Sequence, residues 1–160
     1  MAEANVDPHH LLRFEQAQSG VIGSALAELQ AGEKRTHWMW FIFPQLIGLG
    51  TSAMAERFAI RSRAEAQAYL AHPVLGLRLR HCAEALLAVP GRTAGEILGY
   101  PDCLKLRSSM TLFADVSDEG SVFHRVLDRY FEGEGDGFTL AILRERHPGA
   151  STGERTKGLE

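Results

Sequence analysis

Lys34, His37, Trp38, Trp40 and Gln45 fall within twelve residues, in a stretch closed by Pro44, Gly48 and Gly50. Aromatic rings provide flat apolar walls, and Lys, His and Gln provide donors and acceptors. That mixture suits a ligand pocket as well as it suits a core. Trp38 and Trp40 are two residues apart. On extended backbone both face one side and can stack a planar base, with Lys34 or His37 meeting a phosphate; on a helix they diverge. Core packing is the commoner fate of such rings.

A second concentration of chemistry lies in Asp102–Phe113. At about 100° per residue, Leu106, Met110 and Phe113 fall together, and Leu104 lies well away from them. Asp102, Lys105, Ser108 and Ser109 occupy a sector between these groups, shared with Leu112, and Arg107 lies opposite. A helix apolar on both flanks packs on both sides, so its polar stripe should meet something buried and polar. A ligand cavity and an internal hydrogen-bond network both fit. Arg78, at the edge of the apolar stripe of its helix, has the fork of donors that binds phosphate or carboxylate. More often such an arginine lays its stem along the core edge with its head in water.

Glu65, Asp102 and Asp136 are the candidate general acids or bases, the residue type that glycoside chemistry requires. Each also sits near a helix start, where capping is the ordinary use of an acid. Other chemistries find less support. The seven His are scattered, with no H-x-x-x-H pair on one helix face and no C-x-x-C, so no metal site is expected. Neither a dinucleotide-binding Gly fingerprint, a Walker loop nor a Gly-x-Ser-x-Gly elbow occurs, and no cofactor is required. Cys82 lies in an apolar stripe, which argues against a thiol nucleophile.

Helices must position these groups. Asp7-Pro8 predicts a helix start, with helix from His10 to Ala31, broken near Ser19-Gly20 and ended by Gly32. The aromatic stretch predicts a short helix or extended piece leading to a loop, and Thr51–Arg57 another short helix. Ser62-Arg-Ala-Glu65 and Thr93-Ala-Gly-Glu96 are capping boxes. The first opens a helix to about Ala71. The next helix starts at Pro73 and runs to Val89, and Asp102–Phe113, Ser121–Phe131 and Asp136–Arg146 follow. Few stretches alternate like strands. The expected fold is mainly α: one helical domain over 7–147, with a short aromatic irregular segment and a flexible tail over 148–160.

The chain has 160 residues, 45% of them apolar, enough for one domain with a proper core. A net charge of −3 with scattered Lys and Arg gives no extended nucleic-acid surface. No apolar run approaches the roughly 20 residues that span a bilayer. The opening Met-Ala-Glu-Ala-Asn lacks a basic region followed by an apolar core, so a cytoplasmic protein with reduced thiols is expected.

Several blocks together resemble a known bacterial family. They are Phe14-Glu-Gln-Ala-Gln18, Gly32-Glu-Lys-Arg-Thr-His-Trp-Met-Trp-Phe-Ile-Phe-Pro-Gln45, Gly48-Leu-Gly-Thr-Ser52 and Glu65-Ala-Gln-Ala-Tyr-Leu-Ala-His-Pro73. Leu75-Gly-Leu-Arg-Leu79, Asp102-Cys-Leu-Lys-Leu-Arg-Ser-Ser-Met-Thr-Leu-Phe113 and Asp136-Gly-Phe-Thr-Leu140 complete the pattern. The chain resembles domain-of-unknown-function family 1810 over about residues 7–145. Members are sometimes labelled calpastatin, a label that does not suit a compact helical chain. The pattern is distantly similar to the NADAR superfamily, linked to NAD and ADP-ribose metabolism and to cleavage of N-glycosidic bonds. That similarity implies Glu65 as the acid of an early helix, Asp136 as a late Asp, and Lys105 and Arg78 as phosphate contacts. The chain lacks the Trp-Gly motif that follows the late Asp there.

The expectation is a helical N-glycoside hydrolase for a ribosylated or nucleotide-like substrate related to ADP-ribose or NAD. Glu65, with Asp136, would serve the sugar, and Trp38 and Trp40 the base. Lys34, Arg78 and Lys105 would neutralise phosphates, and Gln45, Ser108 and Ser109 would orient hydroxyls. His37, Ser52 and Asp102 complete the candidate set. The alternatives are a non-catalytic nucleotide or ADP-ribose-binding module and a protein-interaction domain. Oligomeric state is left open.

Overall fold

Asp7 opens the helical part of the chain without starting a helix at Pro8. Its carboxylate accepts from the amides of Leu11 (2.8 Å) and Leu12 (2.9 Å). The first helix, α1, therefore spans Leu12–Gln18. The computed structural model describes residues 6–146, all but the last of the expected domain; the tail over 148–160 lies outside the described residues. Within them follow α2 (Ile22–Ala31), α3 (Met39–Ile42), α4 (Ala53–Arg57), α5 (Arg63–Ala71) and α6 (Leu75–Ala88). Then come α7 (Ala94–Leu98), α8 (Asp102–Asp115), α9 (Val122–Phe131) and α10 (Gly137–Arg146). The fold is mainly α, with no strand among the described residues beyond a single parallel bridge, Leu46 to Ile60.

Local chemistry explains the helix ends. Gly32 closes α2 in the left-handed conformation at φ +75°, which a residue without Cβ adopts cheaply. Ser52, Ser62, Thr93 and Ser121 each accept an amide hydrogen at a helix N-terminus. Thr93 and Glu96 form the complete reciprocal capping box. At Ser62 the expected box is only half made. Ser62 Oγ accepts from the Glu65 amide, but the Glu65 side chain turns inward to Arg13 and to the amide of Arg61 instead.

The long helix α8 is the hub, packed against α5, α7, α9 and α10, while α6 packs against α2, α5 and α9. Leu106, Met110, Leu112 and Phe113 of α8 are wholly buried, each worth about 1.5–3 kcal/mol of apolar transfer. Burial on both flanks leaves the polar sector of α8 between packed surfaces. The aromatic segment is pinned beside it. Ile60 N donates to Gln45 O and Ile47 N to Ile60 O, both at 2.8 Å, so the chain after α3 is tied to the chain before α5. No helix among the described residues is long and apolar enough to cross a membrane.

Candidate functional site

A cavity of about 460 Å³ opens between the α3–α4 segment and the N-terminal half of α8. Trp40, Gln45, Ser52, Lys105, Ser108 and Asp136 all line it, and Leu49, Pro101, Leu104 and Phe138 form apolar walls. Residues nearly a hundred positions apart thus meet in one hollow. Phe138 and Leu104 are largely exposed at its edge.

The helical form of Met39–Ile42 decides the fate of the two tryptophans. A helix cannot aim residues two apart to one side. Trp40 faces the cavity, with the Lys105 ammonium 5.4 Å from its ring centre. Trp38 points the other way and is fully buried, its indole donating to Glu28 Oε1 at 2.8 Å. It packs with Phe43 in the core.

The polar stripe of α8 divides in the same manner. Leu104, Lys105 and Ser108, at one edge of the stripe, meet the cavity. Ser108 Oγ donates back to Leu104 O at 3.2 Å, so its oxygen keeps capacity to accept. Asp102, on the other edge, bridges two lysines: Lys34 Nζ at 2.9 Å and Lys105 Nζ at 3.5 Å. Lys34 is nearly buried and sits 5.1 Å from the ring centre of Trp38. One carboxylate against two ammonium groups leaves one positive charge, and the looser partner is the one at the cavity. Ser109 lies about 100° further round than Ser108 and turns into the core, where its Oγ has no hydrogen-bond partner among the described residues.

Asp136 is held by its backbone. Its amide donates to Thr111 Oγ1 at 2.8 Å, and Thr111 Oγ1 donates to Arg107 O. One carboxylate oxygen, Oδ2, accepts from both the amide and the hydroxyl of Thr139, capping α10. Among the described residues Oδ1 accepts no hydrogen bond. Gly135 permits this closeness, and Gly50 permits a separate close approach in the cavity wall. A Cβ on Gly135 would come within 3.1 Å of Thr111, and one on Gly50, in the cavity wall, within 2.7 Å of the Ala55 Cβ.

The remaining candidates stand elsewhere. Glu65 is 2% exposed and pairs with Arg13 at 2.9 Å, while its other oxygen accepts from the Arg61 amide. It lines a different cleft, which shares no residue with the Trp40 cavity. Arg78 Nη1 donates to Gln18 Oε1 at 3.2 Å, and Gln18 Nε2 donates in turn to Phe41 O and to the Tyr69 hydroxyl. The guanidinium thus joins an internal hydrogen-bond network, a use that neither reading of this arginine from the sequence named. Burial raises the Tyr69 hydroxyl pKa well above its ordinary value, with Gln18 opposing. His37 is exposed and does not line the cavity. No group of three or more His, Cys, Asp or Glu among the described residues is placed to hold a metal ion. Cys82 and Cys103 are both free thiols.

A family model described as "Protein of unknown function (DUF1810)" matches residues 8–143. The chain belongs to this family. Its structure resembles the crystal structure of the conserved hypothetical protein Rv1873 from Mycobacterium tuberculosis, with 52% identity and a TM-score of 0.84. The likeness covers 86% of this chain and 98% of that one. No curated protein matches. The match spans every element that builds the cavity, from α3 through Asp136 and Phe138. Two parts of this DUF1810 site carry little signal in the sequence. Leu49 and Leu104 read as ordinary core residues, and Thr111 reads as one more buried position of α8. Phe138, two residues after Asp136, was open to recognition as an aromatic beside an acid.

Proposed function

We propose that the cavity between Trp40 and Lys105 binds a small, phosphate-bearing ribosyl compound related to ADP-ribose or NAD, and that the chain hydrolyses its N-glycosidic bond. The observation that carries this reading is the meeting of an aromatic face, an ammonium and a partly free carboxylate around one hollow. Trp40 and the apolar rim take the planar base. Lys105 turns from its loose contact with Asp102 to a phosphate oxygen. Gln45, Ser52 and Ser108 supply polar contacts for sugar hydroxyls.

Asp136 takes the role of the acid. The C1′–N bond breaks with its electron pair leaving on the base, and positive charge builds on the ribosyl carbon and ring oxygen. A carboxylate beside that carbon stabilises the charge and accepts the proton of the attacking water. The proton then passes to the departing base or to solvent. Glu65 has no part in this scheme, because Arg13 neutralises it in another cleft.

A second reading, a module that binds the same compound without turnover, is favoured by the commitment of Asp136 Oδ2 to capping α10. One variant separates the two. Asp136→Asn keeps an oxygen to accept from Thr139 but removes the charge. Under the hydrolase reading, base release from an ADP-ribosyl or NAD-type substrate falls at least about a hundredfold while ligand affinity changes little. Under the binding reading, wild type releases no base, although ADP-ribose still raises the melting temperature. If neither NAD, ADP-ribose, AMP nor ribose 5-phosphate shifts that temperature at millimolar concentration, both readings fall.

A further inference from the structure

The short helix α4 has a cavity at each end. Ser52 and Ala55 face the Trp40 hollow, whereas Arg57, at its last turn, borders a second cleft of about 410 Å³. His9, His10, Arg13, Arg57, Arg61 and Glu65 line this cleft. We propose that it is an anion site for the phosphate group of a small molecule, independent of the ligand in the Trp40 cavity.

Arg13 builds the floor of the cleft. Its guanidinium, 9% exposed, donates to the carbonyls of His9 and His10 (2.8 Å each), Arg57 (2.8 Å) and Ala59 (2.7 Å), and to Glu65 Oε2 (2.9 Å). The fork thereby ties the chain before α1 to the end of α4 and fixes both walls. All its donor directions are spent on the protein, and its charge is balanced by Glu65. Both Glu65 oxygens are themselves occupied, the second by the Arg61 amide. Glu65 is the acid within ion-pair distance of this cleft's cations, and it serves Arg13.

Arg57 and Arg61 are left over. Both are exposed, and neither forms an ion pair among the described residues. The Arg57 guanidinium carbon lies 5.1 Å from the centre of the Phe58 ring, a cation–π contact that holds the group at the wall of the cleft. Asp7 stands close to His10, but its oxygens already receive the Leu11 and Leu12 amides. Two unspent guanidinium forks beside two imidazoles, on a buried and neutralised floor, match the three oxygens of a phosphate better than any apolar or cationic group. They do so on a chain whose net charge is −3, so general basicity does not account for the cluster.

The test is a titration of isotope-labelled protein at constant ionic strength, following backbone amide resonances, with inorganic phosphate in one arm and glycerol 3-phosphate in the other. Saturable shifts at His9, His10, Arg61 and Ser62 are expected. Equal affinity in both arms assigns the site to free phosphate, and tighter binding of the ester assigns it to a phosphomonoester. The double variant R57Q/R61Q weakens either ligand at least about tenfold, since charge-assisted hydrogen bonds are lost. Arg35→Gln, an exposed arginine on another part of the surface, leaves binding unchanged. Should R57Q/R61Q fold poorly, each single variant still weakens binding severalfold. Shifts that never saturate, affinity unchanged in the arginine variants, or responses confined to Trp40 and Lys105 overturn the proposal.

Discussion

The indole of Trp38 and the carboxylate of Glu28 form a partly buried hydrogen bond of 2.8 Å, and it helps organise the turn between α2 and α3. The same carboxylate accepts from the Arg35 amide (2.8 Å), the Thr36 amide (3.1 Å) and the Thr36 hydroxyl (2.6 Å). Burial alone would raise the Glu28 pKa. The Thr36 hydroxyl, the two amides and the indole outweigh it and hold the group down at about 2. A depressed carboxylate stabilises the fold above its unfolded pKa of about 4.5, and that stability is lost as pH falls towards 2. Glu28→Gln should therefore cost on the order of 1–2 kcal/mol at pH 7. The difference between variant and wild type should shrink between pH 4.5 and 2, as read by chemical denaturation. A gap that stays constant with pH would show that the carboxylate charge is not what matters.

Replacing the two tryptophans separates core from site. Trp38→Leu opens a hole beneath α3 and removes one of the four hydrogen bonds to Glu28, and should cost about 3–5 kcal/mol. Trp40→Leu removes a half-buried ring from the cavity wall. It should lower the melting temperature by only a few degrees, about 1 kcal/mol, while weakening ADP-ribose binding about tenfold or more. Calorimetry on both variants checks the pair. Equal loss of stability in the two would contradict the assignment of Trp40 to the cavity.

Breaking the Arg13–Glu65 pair should act on stability and not on chemistry. Removing one partner leaves a buried charge unpaired, at a cost of about 3–5 kcal/mol. Glu65→Gln keeps the acceptor for the Arg61 amide and should cost less than Arg13→Met, which abandons four carbonyls as well. Under native conditions turnover per folded molecule should be unchanged in Glu65→Gln. A hundredfold loss with an unaltered melting temperature would return Glu65 to the mechanism.

The thiols should differ in reactivity. Burial pushes the Cys82 thiol up to about 12, with Arg78 only partly opposing it, so at pH 8 almost no thiolate forms there. Cys103 is half-buried near the start of α8. A disulfide reagent at pH 8 should titrate one thiol quickly in the native protein and the second only on unfolding. Cys103→Ser should abolish the fast phase.

Several parts of this molecule were legible without coordinates. The breaks at Ser19-Gly20 and Gly32, the caps at Ser62 and Thr93, and the apolar faces of α6 and α8 follow from forces acting within four residues. The family blocks pointed to the right family. Local pattern misjudged the start of α1, because the Asp7 carboxylate reaches across a turn to the Leu11 and Leu12 amides instead of accepting from those just after Pro8.

Sequence by itself determined the helices, most of their ends and the set of polar residues available for chemistry. Which of those residues share a hollow was decided by tertiary packing. Trp38 and Trp40 have the same chemistry and neighbouring positions, yet only the helical turn of α3 and its tether through Ile60 send one to Glu28 and the other to Lys105. Glu65 met Arg13 because tertiary packing brings α1 beside the first turn of α5, a contact between residues fifty-two apart. Pattern along a chain records periodicity; it does not record which distant face arrives opposite. A cavity exists only where two such faces meet without filling the space between them.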